Sequence, residues 1–555
     1  MVNGMRRGRS MSTASRVRLW PSRLGAEMAL VERLKAFSRF DAALEPARLP
    51  PLPETLQQHV VWEGEGKKIQ VDGRYAGGSA FLTWIADLRR HGLDPVVESV
   101  APQELVQALE STTDGQAGDA YLEFLEMSRK RHVEASELGA SDLHVLQRED
   151  HAEFQLRIDG ELWTVPEWEL DPTQGKAFVR ATCVSLATVK EATFNPMAFQ
   201  EAQISGSKLP ETDTESVRIT RGPAYPTEAG GGVMVSRLQP RRHAVKQHHR
   251  RGTPASRLRL ERPVAPKGVV DFHAMGFTPL QVALFEQIVL MPDGLFVQTG
   301  PTGSGKTTTG YELLRYKAQI SPELRQITRE HPVEYPREWA VQLLSTGQNS
   351  SYLVERMLRM DPDIIDIGEI RTADEGVAAA QAAQTGHLVF GSVHVLDPFE
   401  LIGRLHMLDH TRLSKELMCN HTIIAAFMGQ RMVPVLCTQC REPLEQHLSS
   451  VSAMLVERIK TWGDLDHVHV RGKGCPHCAG RRILGREAVA EVVLSTEELM
   501  EDFLRGTSIA RRNHRLREGS DKSMLGNVME RVLAGTIDPR DAQKNIRIEA
   551  YREGV

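Results

Sequence analysis

The stretch GPTGSGKTTTGY, Gly300–Tyr311, decides how the chain is read. It fits G-x-x-x-x-G-K-[ST], with Gly300, Gly305, Lys306 and Thr307 in register. The glycines let backbone N–H groups turn toward phosphate oxygens. The pattern places Lys306 on the β- and γ-phosphates of a nucleotide and the Thr307 hydroxyl on Mg²⁺. Gly300, Pro301, Thr302, Gly303, Ser304, Gly305, Lys306, Thr307 and Thr308 are therefore the candidate cradle. The run before it, GLFVQT, is short, apolar and rich in strand formers. The residues after Lys306 can open a helix whose N-terminus adds positive potential where phosphates lie.

The 555 residues exceed what one core supports and predict three or four domains. A formal net charge of −4 gives no global attraction to nucleic acid or anionic membrane. No stretch approaches 18 consecutive apolar residues, and the Arg-rich start, MVNGMRRGRSMSTASRVRLW, lacks the apolar centre of a secretory signal. It reads as a flexible basic arm. Six cysteines do not make a disulfide framework. Four of them form two C-x-x-C pairs, Cys437/Cys440 and Cys475/Cys478, which suit a closed tetrahedral Zn²⁺ site.

The expected fold class is α/β: a P-loop core, a preceding α+β domain, a helical N-terminal region and a small Cys₄ zinc subdomain. Residues 1–130 show helical spacing in FLTWIADLRRHGL and AYLEFLEMSRKRHVEAS. Residues 131–240 alternate as strands in SDLHVLQ, AEFQLRID, ELWTV, ESVRITR and GVMVSRL, with a helix near KAFVRATCVSLATV. Residues 241–267 have the Arg-, His- and Pro-rich composition of a linker. The P-loop core is expected over 268–430, the tetracysteine subdomain over 431–490 and an amphipathic helical region over 491–555.

A second apolar run, DIIDI, ends in Gly368-Glu369. A carboxylate ending a strand beside the nucleotide can hold the metal or polarise water. TREHPVEY adds Glu330 and Glu334, and TGHLVFGSVH adds His387 and His394 on either side of a strand.

In this order the motifs resemble the secretion ATPase superfamily of type II secretion, type IV pilus assembly and related type IV secretion systems. DPDIIDIGEIR resembles its Walker B segment, TREHPVEY its acidic box and AAQTGHLVFGSVH its His box. ASELGASDLHV and FQLRIDGEL resemble its sensor domain, so the resemblance implies a RecA-like P-loop core preceded by an α+β (PAS-like) sensor domain. The resemblance covers roughly residues 130–550 and implies roles for single residues. Glu369 positions or activates water, while Glu330 and Glu334 surround metal and water. His387 and His394 respond to the γ-phosphate, and Arg218 and Arg237 clasp the terminal phosphates from the sensor domain. It also implies ATP, Mg²⁺ and Zn²⁺, a homo-hexameric ring, and a cytoplasmic place at the inner membrane beside a platform protein and pilin or pseudopilin machinery. The two C-x-x-C pairs mark its extension and secretion branch.

The chain departs from the family pattern at His331, where an acid is usual, at Asp366, which interrupts the apolar strand, and at Thr372, where Asp commonly follows the arginine. The loop between Arg218 and Arg237 and the basic linker are longer than the pattern. An ATPase of a conjugative pilus or type IV secretion system is the alternative within the superfamily. A nucleic-acid motor is the alternative outside it, supported only by the basic stretch 239–267, which lacks aromatics for base stacking. No direct nucleic-acid partner is expected.

Overall fold

The computed structural model describes residues 56, 60–63, 68–73, 75–90, 95–100, 114–241, 258–345 and 350–553. The chain divides into two units, Met1–Leu122 and Glu123–Val555. The first holds the helix that the spacing of FLTWIADLRRHGL predicts, together with a sheet that the helical reading of the region did not include. Strands β1 (Val60–Glu63), β2 (Lys68–Asp72) and β3 (Val96–Val100) pair in that order, with helix α1 (Ser79–Arg90) between β2 and β3 in sequence. Phe81, Trp84, Ile85 and Leu88 of α1 are buried with Val60, Ile69 and Val71. The purely helical reading of this region is therefore corrected. Strands of four or five residues with charges among the valines are too short for an alternating pattern to stand out.

Helix α2 (Asp114–Glu137) runs across the division at Leu122, and the second unit continues from it into an antiparallel sheet. Its strands are β4 (Asp142–Gln147), β5 (Ala152–Ile158), β6 (Glu161–Thr164), β7 (Val189–Lys190), β8 (Gln200–Ser205), β9 (Thr214–Pro223) and β10 (Gly232–Pro240). They lie in the order β6-β5-β4-β10-β9-β8-β7. Helix α3 (Pro172–Ala181) starts at a capping box formed by Asp171 and Gln174. Such a cap satisfies donors that a helix start leaves open. Phe178 of α3 packs edge-to-face on Phe154 of β5, with ring centres 4.9 Å apart. Residues 258–262 belong to this layer and not to a linker: Glu261 exchanges backbone hydrogen bonds with Thr164, and Leu258 and Leu260 pack on the sheet's core. Residues 242–257 of the expected linker lie outside the described residues.

The core sheet follows. Its elements are α4 (Pro279–Leu290), β11 (Gly294–Thr299), α5 (Lys306–Ile320), β12 (Gln326–Glu330), β13 (Ala340–Leu344), α6 (Ser350–Met357), β14 (Ile364–Glu369), α7 (Ala373–Gln384), β15 (Leu388–Val393) and β16 (Ile424–Leu436). Past β17 (Glu442–Pro443) and β18 (His469–Val470), β19 (Ile483–Leu494) returns to it. The order is β13-β12-β14-β15-β11-β16-β19, parallel except for the antiparallel β16–β19 pair. All six residues of β11 are buried, as a strand covered on both faces requires.

Strands β16 and β19 pair from Ala426↔Leu494 out to Leu436↔Ile483, so the boundaries drawn at 430 and 490 fall inside strands. Beyond their far end stand the cysteines, and the neighbouring core combines Val433, Leu444, Val468 and Val489 with Val528, Met529 and Val532 from the chain's tail. Among the described residues no helix is long and apolar enough to cross a membrane.

Candidate active site

Parallel strands bring their C-terminal ends to one edge, where the loop after β11 meets the ends of its neighbours. Thr299 pairs with Val393 of β15, and Glu369 at the end of β14 pairs with Ser392. Glu330 ends β12 on the same edge. The phosphate loop, Glu369 and Glu330 are thereby gathered by topology from segments up to 69 residues apart (300 to 369).

The loop is built for close approach of backbone. Gly300, Gly303 and Gly305 have φ of +148°, +75° and +86°. A Cβ on Gly300 would stand 2.6 Å from the Gln430 carbonyl oxygen, whereas one on Gly303 would enter open space. Lys306 Nζ donates to the carbonyls of Gly300 and Pro301 at 2.9 and 3.0 Å. Burial pushes the Lys306 ammonium below its ordinary range, and the nearby Glu369 carboxylate opposes that shift. Thr299 Oγ1, Ser304 Oγ and Thr309 Oγ1 are buried around the loop without hydrogen-bond partners. Thr307 and Thr308 are exposed at the start of α5. An exposed hydroxyl, a buried ammonium and unspent polar atoms around an open glycine turn fit a polyphosphate and its Mg²⁺.

Glu369 is aimed by a bulge. Pairing of β14 with β15 shifts register between Asp366 and Glu369, and Gly368 there has φ +71°. The Glu369 carboxylate takes a hydrogen bond from Arg371 Nη2 at 2.7 Å and faces His394 Nε2 at 3.2 Å. The Arg371 bond, with help from His394, holds the carboxyl below its ordinary range. It is thus an anion and an acceptor at neutral pH. Below it, buried Arg329 donates to the carbonyls of Ile367 and Glu369 at 2.6 and 2.9 Å and to Glu375 Oε1 at 2.5 Å. Neither Arg329 nor Arg371 stood out in sequence, because their partners are defined only by the folded strand end.

Glu330 accepts from Thr328 Oγ1 at 2.7 Å and Gln342 Nε2 at 2.8 Å. Glu334 is exposed on the following loop. His331, at the departure from the acidic box, turns its Nδ1 to the Ser345 carbonyl. Thr372 is the N-cap of α7, with Oγ1 accepting from Glu375 N–H at 3.3 Å. Asp would cap the same helix equally well, which accounts for this departure.

Two expectations are altered. His387 precedes β15 and its carbonyl accepts from Gly294 N–H, at the beginning of β11. It therefore sits at the opposite edge from His394, across a six-residue strand of about 20 Å. Within one chain the His pair does not converge on one site. Arg237 and Arg218 are cross-strand partners on β10 and β9. Yet Arg237 Nε binds Asp142 at 2.9 Å and its Nη2 binds Asp361 at 2.8 Å, before the start of β14. It is held at the edge away from the phosphate loop, and Arg218 is exposed beside it. Asp361 also meets His144 Nε2 at 3.1 Å and Arg157, which forms a second ion pair with Asp363 at 2.8 Å. This tie between the antiparallel sheet and the core went unread because Asp361 looked like part of the strand motif.

The cysteines converge. Their sulfurs all lie within 4.8 Å of one another, with Cys437–Cys475 at 3.7 Å and Cys440–Cys478 and Cys475–Cys478 at 3.8 Å. Four sulfurs at about 2.3 Å from one zinc stand about 3.8 Å apart in a tetrahedron. Burial and the three neighbouring sulfurs push the Cys440 thiol up to about 12, while a backbone interaction at Cys475 brings Cys478 down to about 6. A dication at their centre would allow all four to ionise. His477 is exposed.

The family model described as Type II/IV secretion system protein matches residues 256–544, just over half of the chain. The type IV pilus assembly ATPase PilB of Thermus thermophilus is 32% identical over 286 residues, 49% of this chain and 31% of that protein, so the chain spans under a third of its length. The putative type II secretion system protein E of Escherichia coli is 28% identical over 410 residues, 72% of each chain. A solved structure, the pilus retraction motor PilT with bound ADP, aligns over 75% of this chain and 96% of that one at 19% identity and a TM-score of 0.36. The chain belongs to the Type II/IV secretion system protein family.

Proposed function

We propose that this chain hydrolyses ATP to drive assembly of a pilus or pseudopilus, as the extension and secretion members of its family do. The observation that carries the reading is the shared edge. Glu369, an anion held by Arg371 and His394, stands at the strand end beside the loop that carries Lys306. Lys306 leaves its own loop carbonyls to bind the β- and γ-phosphates. Thr307 would hold Mg²⁺, which neutralises charge on those phosphates when bound. Glu369 orients water for in-line attack and accepts its proton, with His394 steadying the carboxylate. Glu330 and Glu334 complete the acidic surround of metal and water.

The antiparallel sheet is proposed as the sensor layer, supported by its direct ties to the core through Asp361 and Asp363. Arg218 and Arg237 reach phosphates only after that layer moves, or in a neighbouring copy of a ring. A homo-hexamer working on a membrane platform protein from the cytoplasmic side is the assembly this reading implies. The sulfur spacing supports a structural Zn²⁺ at Cys437, Cys440, Cys475 and Cys478, with no open coordination position.

Glu369→Gln in the full chain tests the reading. ATP binding should persist while turnover falls by about 100-fold or more. Wild-type turnover in that variant would move the chemistry elsewhere.

A further inference from the structure

Asp366 is a carboxylate inside an otherwise apolar strand, and Arg337 is a nearly buried cation on the loop after β12, with 4% of its side chain exposed. Arg337 Nη1 donates to Asp366 Oδ2 at 2.8 Å. Its Nε has no hydrogen-bond partner and faces Glu330 Oε1 at 3.8 Å. The other oxygen of Asp366 accepts from Gly368 N–H at 2.9 Å, inside the bulge that aims Glu369. Gln342 closes the arrangement: Oε1 accepts from Arg337 N–H at 2.8 Å and Nε2 donates to Glu330 at 2.8 Å. The guanidinium also lies 5.8 Å from the ring centre of Tyr311 on α5, the helix that begins at Lys306.

We propose that Arg337 and Asp366 form a positioning pair that holds Glu330 and Glu369 in fixed relation across the nucleotide edge. The pair bridges two strand ends, and its cation lies between Asp366 and Glu330. Without the guanidinium, a nearly buried carboxylate loses its counter-charge and the bulge loses the acceptor geometry that shapes it. Without Asp366, the guanidinium is free to pull Glu330 off Thr328 and Gln342. The carboxylate of Asp366 in the apolar strand is thus matched by the guanidinium of Arg337. The inference rests on the roles given to Glu330 and Glu369 above.

Steady-state ATPase of the full chain, with ATP affinity measured separately, tests it in Arg337→Gln, Asp366→Asn and the double variant. Each single change should lower kcat about tenfold with ATP affinity within about twofold, and the neutral double variant should recover to within about threefold of wild type. Unchanged single variants, or losses that multiply in the double variant, overturn the pair. If Arg337→Gln does not fold, Asp366→Asn decides: a raised Mg²⁺ requirement at an unchanged thermal midpoint supports positioning, and an unchanged Mg²⁺ requirement overturns it. Glu369→Gln is run alongside. Its full activity overturns the site reading itself, whereas an inactive Glu369→Gln with multiplying pair losses overturns only the pair.

Discussion

His394 Nε2 stands 3.2 Å from Glu369 Oε1, and the two side chains project from adjacent parallel strand ends. His387, seven residues earlier, lies at the other end of β15, where its Nδ1 faces the Ala382 carbonyl at 3.0 Å. The two histidines of one motif therefore meet different surroundings.

His394→Ala should lower kcat by about tenfold, because the carboxylate loses one of its two positioning contacts. His387→Ala should leave the ATPase of the unassembled chain within about twofold of wild type. Equal losses in both variants at low protein concentration would show that the strand does not separate their roles.

Asp361 joins the antiparallel sheet to the core through His144, Arg157 and Arg237. Burial pushes its carboxyl up, but His144 and Arg157 outweigh that and hold it at about 2. A depressed folded-state value means its stabilisation is present above the unfolded carboxylate range, near about 4, and is lost as pH falls through about 2. Urea midpoints should therefore decline over that acid window, and Asp361→Asn should flatten the decline while lowering the midpoint at neutral pH. An unaltered acid slope in the variant would remove Asp361 from the account.

Protein prepared without a His tag should contain about one Zn²⁺ per chain, by elemental analysis, with four thiols unreactive until chelator is added. Cys440→Ser should lower the thermal stability of the subdomain around Val433, Leu444 and Val528 while ATP affinity stays near wild type. Zinc below about 0.2 per chain, with all four thiols freely titrating, would sink the claim.

Thr372→Ala should cost about 1 kcal/mol, since the N-cap of α7 loses its side-chain acceptor, while Thr372→Asp should be nearly neutral. Chemical denaturation distinguishes them. A large loss on Thr372→Asp would show that the hydroxyl does more than cap the helix.

The motifs whose chemistry depends on adjacent residues were legible in the chain itself. The glycine spacing around Lys306, the apolar run ending at Glu369 and the two C-x-x-C pairs each specify a local geometry that needs little from elsewhere. The strands of the antiparallel layer were equally legible where they alternate strictly, as in β5. The cysteines needed the fold only to bring two tight turns together.

Tertiary structure alone decided which strand ends gather at the nucleotide edge and which charges meet. His387 and His394 share a motif, yet a parallel strand sends them to opposite edges. The family resemblance implies a phosphate clasp at Arg237, but the packing of two sheets gives it Asp142 and Asp361 as nearer anions. Asp366 looked like a flaw in an apolar strand until the loop after β12 set Arg337 against it. The short strands of the first unit became strands only by pairing with one another. Ion pairs and strand pairing join residues far apart in sequence, and their free energy depends on distance in space and burial, neither of which is written in local spacing.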